Sequence, residues 1–376
     1  MTTPAATLFI SDHAPRHAQV MIHQYRAHGY RVVGASARAS DSFFHHLDAR
    51  IPAALDYDDD PDPQLWLQRL AAHGVDAIVP VSIAASRYFS RHAQAFLDAG
   101  VGLLLPPHET WAMLHDKQQS ADFADSVGVR TPRTVAVRQA DAGARIAEAG
   151  LSYPVVVKTI QEGGAKFVRY AHSAEQAHDI IAEFAQRNPM AVARGVIAQE
   201  YIDGQGCGYF ALARDGEILS EFCHLRIREN PPSGGVSASC ESYAHPKLIA
   251  AGRKLVQGSR YSGVCMCEFK YMPAEDEFCL IEINPKFWGS MLLSVSCGVN
   301  FPLNYVRAAL GQPIPATPYD AGRRVQFVAS DLATALRHRH RVGDVVSDLL
   351  DPAVTKDSFF LGISWYLRYM LGLFRR

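Results

Sequence analysis

Cys265-Met-Cys-Glu268-Phe-Lys, a short loop Met272-Pro-Ala-Glu-Asp-Glu277, and then Leu280-Ile-Glu282-Ile-Asn284-Pro285-Lys286 read as two strands of a hairpin. Side chains alternate across a strand, so Glu282 and Asn284 share one face, roughly 6.5 Å apart. With the hairpin centred near Glu275, antiparallel pairing sets Glu268 opposite Glu282 on that face. Like charges side by side on a sheet repel each other. Two carboxylates and an amide oxygen converging there make most sense around Mg²⁺ (or Mn²⁺), with nucleotide phosphates completing the shell. The plain alternative is a solvated hairpin carrying incidental acids.

The 376 residues suggest two or three domains. With 48% apolar and 20% charged residues the composition is that of an ordinary soluble globular chain. Lys and Arg total 37 against 38 Asp and Glu, a net charge of −1, so no electrostatic footprint points to nucleic acid. Met1-Thr-Thr-Pro-Ala-Ala lacks a basic n-region, and Thr7–Ile10 is too short for a signal segment, so a cytoplasmic location is expected. Seven cysteines without a C-x-x-C pair suit buried thiols in a reducing compartment, and zinc is not indicated. The apolar tail 359–376, with basic ends, fits a helix docked on the protein or on a partner subunit of a homo-oligomer better than one lying on a membrane.

From the N-terminus, strand-like and helix-like segments alternate: Thr7–Ile10, a helix near 14–28, Arg31–Ala35, a helix near 63–73, then Ala77–Val81 and Gly102–Pro106. That rhythm predicts a doubly wound parallel sheet in an α/β unit covering 1–107. No G-x-G-x-x-G follows the first strand, so a dinucleotide fingerprint is lacking. A helical pattern over His108–Gly128 precedes strands at 134–137 and 153–158, and Ser173-Ala-Glu-Gln176 has the capping-box form before a helix to about Arg187. Further strands fall at 197–202, 208–213 and 218–225, and a helix at 300–310. Arg226 and Arg228 share parity and are expected to face one way.

Taken in order, these pieces resemble the ATP-grasp superfamily over roughly residues 1–310, in its carbamoyl-phosphate-synthase-like and carboxylate–amine ligase branch. The matching motifs are His115-Asp116-Lys117, Gly128-Val-Arg-Thr-Pro132, Tyr153-Pro-Val-Val-Val-Lys158, the loop Glu162-Gly-Gly-Ala-Lys166, Gln199-Glu-Tyr-Ile-Asp-Gly204, and the Glu268/Glu282-x-Asn284-Pro hairpin. Uncharacterised members also carry a Pro-Pro-Ser-Gly-Gly-Val-Ser segment, here Pro231–Ser237. The resemblance implies an ATP-grasp fold of two α+β lobes after the N-terminal sheet, with lobes at 108–194 and 195–312 and an extension at 313–376.

It also implies roles. Lys117 and Lys158 would set ammonium charge against ATP phosphates. Gly163, Gly164 and Lys166 would cover them with backbone N–H groups and a charge. The strand carrying Gln199, Glu200, Tyr201 and Ile202 would bind adenine through its backbone, with Tyr201 and Ile202 walling the ring. Many members carry an acid where this chain has Gly206, so the resemblance implies that Asp203 or Gln205 substitutes in ribose contact. Glu268, Glu282 and Asn284 match the metal ligands. Lys286 stands where relatives have Arg, able to neutralise charge but not to form a bidentate fork. Phe287-Trp-Gly-Ser290 would edge the acceptor pocket, and Arg226 and Arg228 would hold the substrate carboxylate.

The expected activity is that of an Mg·ATP-dependent ligase with small-molecule substrates, joining a carboxylate to an amine. Bicarbonate activation and phosphotransfer to a hydroxyl are the alternatives. Gly204-Gln-Gly-Cys-Gly208 is expected to be a flexible turn, and Arg337-His-Arg-His-Arg341 a solvated charge run.

Overall fold

The structure, a computed structural model, describes residues 5–35, 47–51, 56–161, 167–232, 234–338 and 341–357. The first sheet is parallel: β1 (Thr7–Ile10), β2 (Arg31–Gly34), β3 (Ala49–Arg50) and β4 (Ala77–Val79), in the order β3-β2-β1-β4. The chain runs outward from β1 to β3 and then crosses to the other side of β1, which is the expected doubly wound path. Leu8 and Ile10 enter one core, while Phe9 enters another with Trp66 and Phe89, as a sheet buried on both faces requires. The expected strand Gly102–Pro106 reduces to a single parallel bridge between Gly102 and Ala77. Leu104 N–H turns to the Tyr305 hydroxyl at 3.4 Å, and two prolines without N–H groups follow.

The helical stretch expected over His108–Gly128 is two helices, His108–His115 and Lys117–Ser126. They break at Asp116, whose carboxylate caps the second helix by accepting Gln118 N–H at 3.0 Å and Gln119 N–H at 3.1 Å. The second sheet is antiparallel: β5 (Thr134–Val137), β6 (Val155–Thr159), β7 (Val168–Ala171) and β8 (Val196–Glu200), ordered β5-β8-β6-β7. β8 therefore pairs within this small sheet, whereas a division at 194/195 would assign it to the larger lobe. Val196 and Ala198 bury with Val155 and Val157 in one core. The cap at Ser173 forms, with Ser173 Oγ accepting Gln176 N–H at 3.2 Å.

The third sheet has seven strands, β9 (Gln205–Arg214), β10 (Glu217–Asn230), β11 (Val236–Ser242), β12 (Gly263–Met272), β13 (Glu277–Asn284), β14 (Arg324–Gln326) and β15 (Thr355–Lys356), ordered β13-β12-β9-β10-β11-β14-β15. One face buries Cys207, Tyr209, Cys265 and Cys267 with Leu248 and Leu255 of the helix Pro246–Gly258. On the other, Phe210, Leu212 and Met266 pack with Ile10 and Val79 of the first sheet. Further along that second face lie Gly208 beside Glu268 and Gly206 beside Lys270. The expected turn at Gly204–Gly208 is thus mostly the start of β9.

Residues beyond 312 are drawn into the large sheet through β14 and β15, with helices Val328–His338 and Val342–Leu350 packed beside β10 and β11. Buried charge docks them. Arg228 of β10 donates from Nε to both Asp331 oxygens at 2.9 and 3.1 Å, and from Nη2 to Asp331 at 2.6 Å and to Asp348. Arg324 reaches Asp348 at 3.0 Å and Gln326 donates to Asp331 at 2.9 Å. The tail 359–376 lies outside the described residues. No helix among the described residues is long and apolar enough to cross a membrane.

Removing Arg228 leaves two buried carboxylates short of charge. Arg228→Met is expected to lower unfolding free energy by about 3 kcal/mol or more, read from denaturant midpoints. Adding Asp331→Leu should recover part of that loss, whereas an unchanged midpoint in the single variant contradicts the docking role.

Candidate active site

The hairpin turn pairs Met272 with Glu277 and Phe269 with Leu280. Uninterrupted, that register would set Glu268 against Ile281. A register shift between Glu268 and Phe269 instead brings Glu268 opposite Glu282, leaving Ile281 as the extra residue of a β-bulge. The bulge re-aims the strand so that Glu268, Glu282 and Asn284 meet. Asn284 Nδ2 donates to Glu282 Oε1 at 2.7 Å and to Glu268 Oε1 at 3.3 Å.

Three cations surround this pair. Arg226 Nη2 donates to Glu268 Oε2, while its Nη1 donates to Glu229 Oε1 and to the Gly235 carbonyl, both at 3.0 Å. Lys117 Nζ stands 3.8 Å from Glu282 Oε2. Lys158 Nζ, on β6 of the small sheet, reaches the bulged Ile281 carbonyl at 3.5 Å and so bridges the two lobes. Both lysines are buried, at 6% and 3% exposure, which argues against casual surface charges. Burial, and then the Lys117 charge, lower the Lys158 ammonium to about 8.

The two carboxylates are pushed apart. Burial raises Glu268, with Arg226 opposing and the Glu282 charge adding to the rise. Burial also works against ionised Glu282, but Lys117, the Asn284 hydrogen bond, Lys158 and Arg226 together outweigh it and hold the group at about 2. Glu282 is therefore the more acidic of the two. Lys286 follows in the chain, its ammonium lowered by burial against the pull of Glu282 and Glu268, and Nζ donates to the Phe287 carbonyl at 3.4 Å.

Of the expected nucleotide strand, Gln199 is buried and donates to Thr134 Oγ1 at 2.9 Å, while Glu200 accepts from Arg133 at 3.3 Å. Both side chains serve the sheet. Tyr201 lines a cavity and meets Tyr170 edge-on, with ring centres 5.7 Å apart. Ile202 turns into a small apolar cluster with Met272 and Cys279. Gly163, Gly164 and Lys166 lie outside the described residues.

Two expectations on the acceptor side are corrected. Register shifts on both sides of Arg228 break the parity of β10, so Arg226 turns to Glu268 while Arg228, though it lines the same cavity, is committed to Asp331 and Asp348. Phe287 and Trp288, expected to edge a pocket, are buried in the core that joins the first and third sheets. Sequence reading missed Lys270 and Glu229, which line the cavity with Tyr201 and Arg226. Parity with Glu268 was a signal for Lys270, whereas Glu229 was hidden by the bulges. It also missed His115, lowered to about 4 by burial and Lys117, and His17, lowered to about 3 by burial and by Lys286.

Among the described residues no three His, Cys, Asp or Glu side chains gather to hold a metal alone. Two carboxylates and an amide are hard oxygen donors, the set by which Mg²⁺ is held when substrate phosphates supply the rest. Asn284 now presents its N–H₂ to both glutamates; exchanging Nδ2 and Oδ1 about the last side-chain bond presents its oxygen.

A family model described as "ATP-grasp in the biosynthetic pathway with Ter operon" matches residues 193–330, which include β9–β13 with Glu268, Glu282 and Asn284. Among curated proteins, acetyl-CoA carboxylase of Schizosaccharomyces pombe is 28% identical over 49% of this chain and 8% of its own length. The C-terminal section of the carbamoyl phosphate synthase large chain of Methanopyrus kandleri is 23% identical over 58% of this chain and 41% of its own. The chain thus spans less than half the length of either relative. Among solved structures, the biotin carboxylase domain of Hydrogenobacter thermophilus 2-oxoglutarate carboxylase, with MgADP, ADP and bicarbonate, superposes with a TM-score of 0.70 at 15% identity, covering 86% of this chain and 74% of that one. An N5-carboxyaminoimidazole ribonucleotide synthetase with ADP gives 0.68 at 17% identity, covering 91% and 87%. An L-amino acid ligase of Bacillus licheniformis gives 0.63 at 17%, covering 82% and 75%. The match over residues 193–330 and the shared fold make this chain similar to ATP-grasp enzymes.

Proposed function

We propose that the chain is an ADP-forming, Mg·ATP-dependent ligase that activates a small-molecule carboxylate as an acyl phosphate and passes the acyl group to an amine. The observation that carries this reading is Glu268 opposite Glu282 with Asn284 between them, facing Lys117 and Lys158. Glu268, Glu282 and Asn284 would hold Mg²⁺, which when bound supplies charge neutralisation at the phosphates. Lys117 and Lys158 bind and orient the phosphate chain, and Tyr201 walls the base.

A carboxylate oxygen attacks the γ-phosphorus, the bond to the β–γ bridging oxygen breaks, and ADP leaves. The amine then attacks the acyl carbon, phosphate departs with one former carboxylate oxygen, and the amine loses a proton. Arg226 is placed to hold the acid at the metal carboxylates, and Lys286 to neutralise phosphoryl charge. The domain division keeps 1–107 as an N-terminal unit, a small lobe from 108 through β8, and a large lobe that includes β14 and β15. Bicarbonate in place of an organic acid is the second reading, favoured by the likeness to carboxylase structures. Screening acids, bicarbonate and amines for acceptor-dependent release of ADP and phosphate tests the reading. A stable phosphorylated product without free phosphate would identify a kinase instead.

Glu282→Gln keeps shape but removes the carboxylate charge that faces Lys117 and Lys158. Mg²⁺-dependent ATP turnover should fall at least about 100-fold, while circular dichroism stays unchanged. Near-normal turnover in the folded variant contradicts the metal assignment.

The lowered Lys158 ammonium predicts a pH dependence. Below about pH 8 the group is charged and attracts phosphate; above it the charge is lost, so ATP affinity in calorimetry should fall as pH rises from 8 to 10. Stability moves the opposite way, because the unfolded chain binds the extra proton over that window. Lys158→Arg should flatten the affinity profile. A wild-type affinity independent of pH there contradicts contact with phosphate.

A further inference from the structure

The helix Val342–Leu350 keeps an apolar side open. Val342, Val346, Leu349 and Leu350 are between 38% and 75% exposed, and spacings of four, seven and eight residues from the first set them in one stripe. The buried side of the helix is a different one, carrying Val345 and Asp348. Leu336, near the end of the preceding helix against which this one packs, is 66% exposed as well. Single exposed apolar residues are ordinary, but a continuous stripe of them on one short helix marks a surface that meets something.

Two further features point to what it meets. The chain leaves the described part at the end of this helix: Lys356 Nζ donates to the Asp351 carbonyl, and the Asp357 carboxylate accepts Val328 N–H at 3.0 Å. Of the sixteen residues 359–374 that follow, twelve are apolar, more than a stripe of four side chains could cover if the tail folded back on it. Trp365, Tyr366 and Tyr369 among them are residue types that favour a lipid headgroup layer. Charge is the second feature. From Leu336 to Arg376 the sequence holds six arginines, at 337, 339, 341, 368, 375 and 376. Of the four aspartates in that stretch, Asp348 and Asp357 are buried in ion pairs with Arg228 and Arg16, and Asp344 pairs with Arg341. The net charge around the stripe is therefore positive.

We propose that this stripe and the tail dock the chain on an anionic lipid bilayer, lying on the membrane without crossing it. The apolar side chains enter the headgroup boundary, and the arginines meet the negative surface of the lipid. A second copy related by two-fold symmetry would instead bring two positive surfaces together. Val345 of the same helix lines the cavity that holds Tyr201 and Arg226. Membrane contact thus lies one helix diameter, about 10 Å, from the candidate active site.

Sedimentation of the full chain with lipid vesicles tests the docking. The wild type should bind vesicles of phosphatidylcholine with about one-third phosphatidylserine at least about tenfold more tightly than phosphatidylcholine alone, and lose most of that advantage in about 0.5 M salt. The double variant Val346→Glu, Leu350→Glu should bind the anionic vesicles at least about tenfold more weakly, with circular dichroism unchanged. A wild type that stays in the supernatant, or that binds both kinds of vesicle equally, overturns the proposal. Full binding by the double variant overturns it too. So does a wild-type dimer that ignores vesicles and that the double variant dissociates, a result that would make the stripe a subunit interface. Should the double variant fail to fold, Leu336→Glu carries the same comparison, and undiminished binding in it overturns the proposal.

Discussion

Glu268 and Glu282 sit directly opposite each other on neighbouring strands, and the surrounding architecture answers the repulsion between them. At roughly 5 Å and an effective dielectric constant of about 20, two such charges cost about 3 kcal/mol. Arg226 from β10, Lys117 from the start of a helix and Lys158 from the small sheet converge on this point from three different elements. Without the acidic pair, Lys117 and Lys158 would lose the carboxylate charge that faces them, and Arg226 would keep Glu229. The site therefore couples the lobes: Lys158 belongs to one sheet and ends on the carbonyl of the other. The two glutamates respond unequally, Glu282 held low by the lysines and Glu268 raised by burial while Arg226 secures it.

Much of this was legible in the sequence because it depends on local pattern. The alternation of Glu282 and Asn284 and the buried Val155-Val-Val before Lys158 are each written within a few residues, whereas the break at Asp116 is not legible in the helical pattern over 108–128. The pairing of Glu268 with Glu282 was anticipated by centring the hairpin near Glu275, and the structure reaches it differently. The turn itself is centred half a residue earlier, and the bulge at Ile281 restores the alignment. A bulge has no reliable signature in an apolar run such as Leu280-Ile281, so the register was foreseen without its cause.

β10 shows what local pattern conceals. Arg226 and Arg228 share parity in the sequence, yet irregular pairing on either side of Arg228 sends them to different tasks, one at the glutamates and one docking the C-terminal helices. The partners of Arg228, Asp331 and Asp348, lie more than 100 residues away, a distance that no periodicity bridges. The same holds for β14 and β15, two short strands whose membership of the large sheet depends on tertiary packing. Gly206 is the converse case. Its missing side chain looked like a lost contact, and in the structure the side chains of Arg226 and Glu229 on the adjacent strand reach beside it.

The central claim is that Glu268, Glu282 and Asn284 hold a metal against nucleotide phosphates. A crystal structure of the chain with Mg²⁺ and a non-hydrolysable ATP analogue tests it most directly. The account predicts Mg²⁺ at about 2.0–2.1 Å from an oxygen of Glu268 or Glu282 and from phosphate oxygens, with Lys117 and Lys158 on the triphosphate. A nucleotide bound elsewhere, or a metal that leaves both glutamates paired only with Arg226 and Lys117, would contradict it.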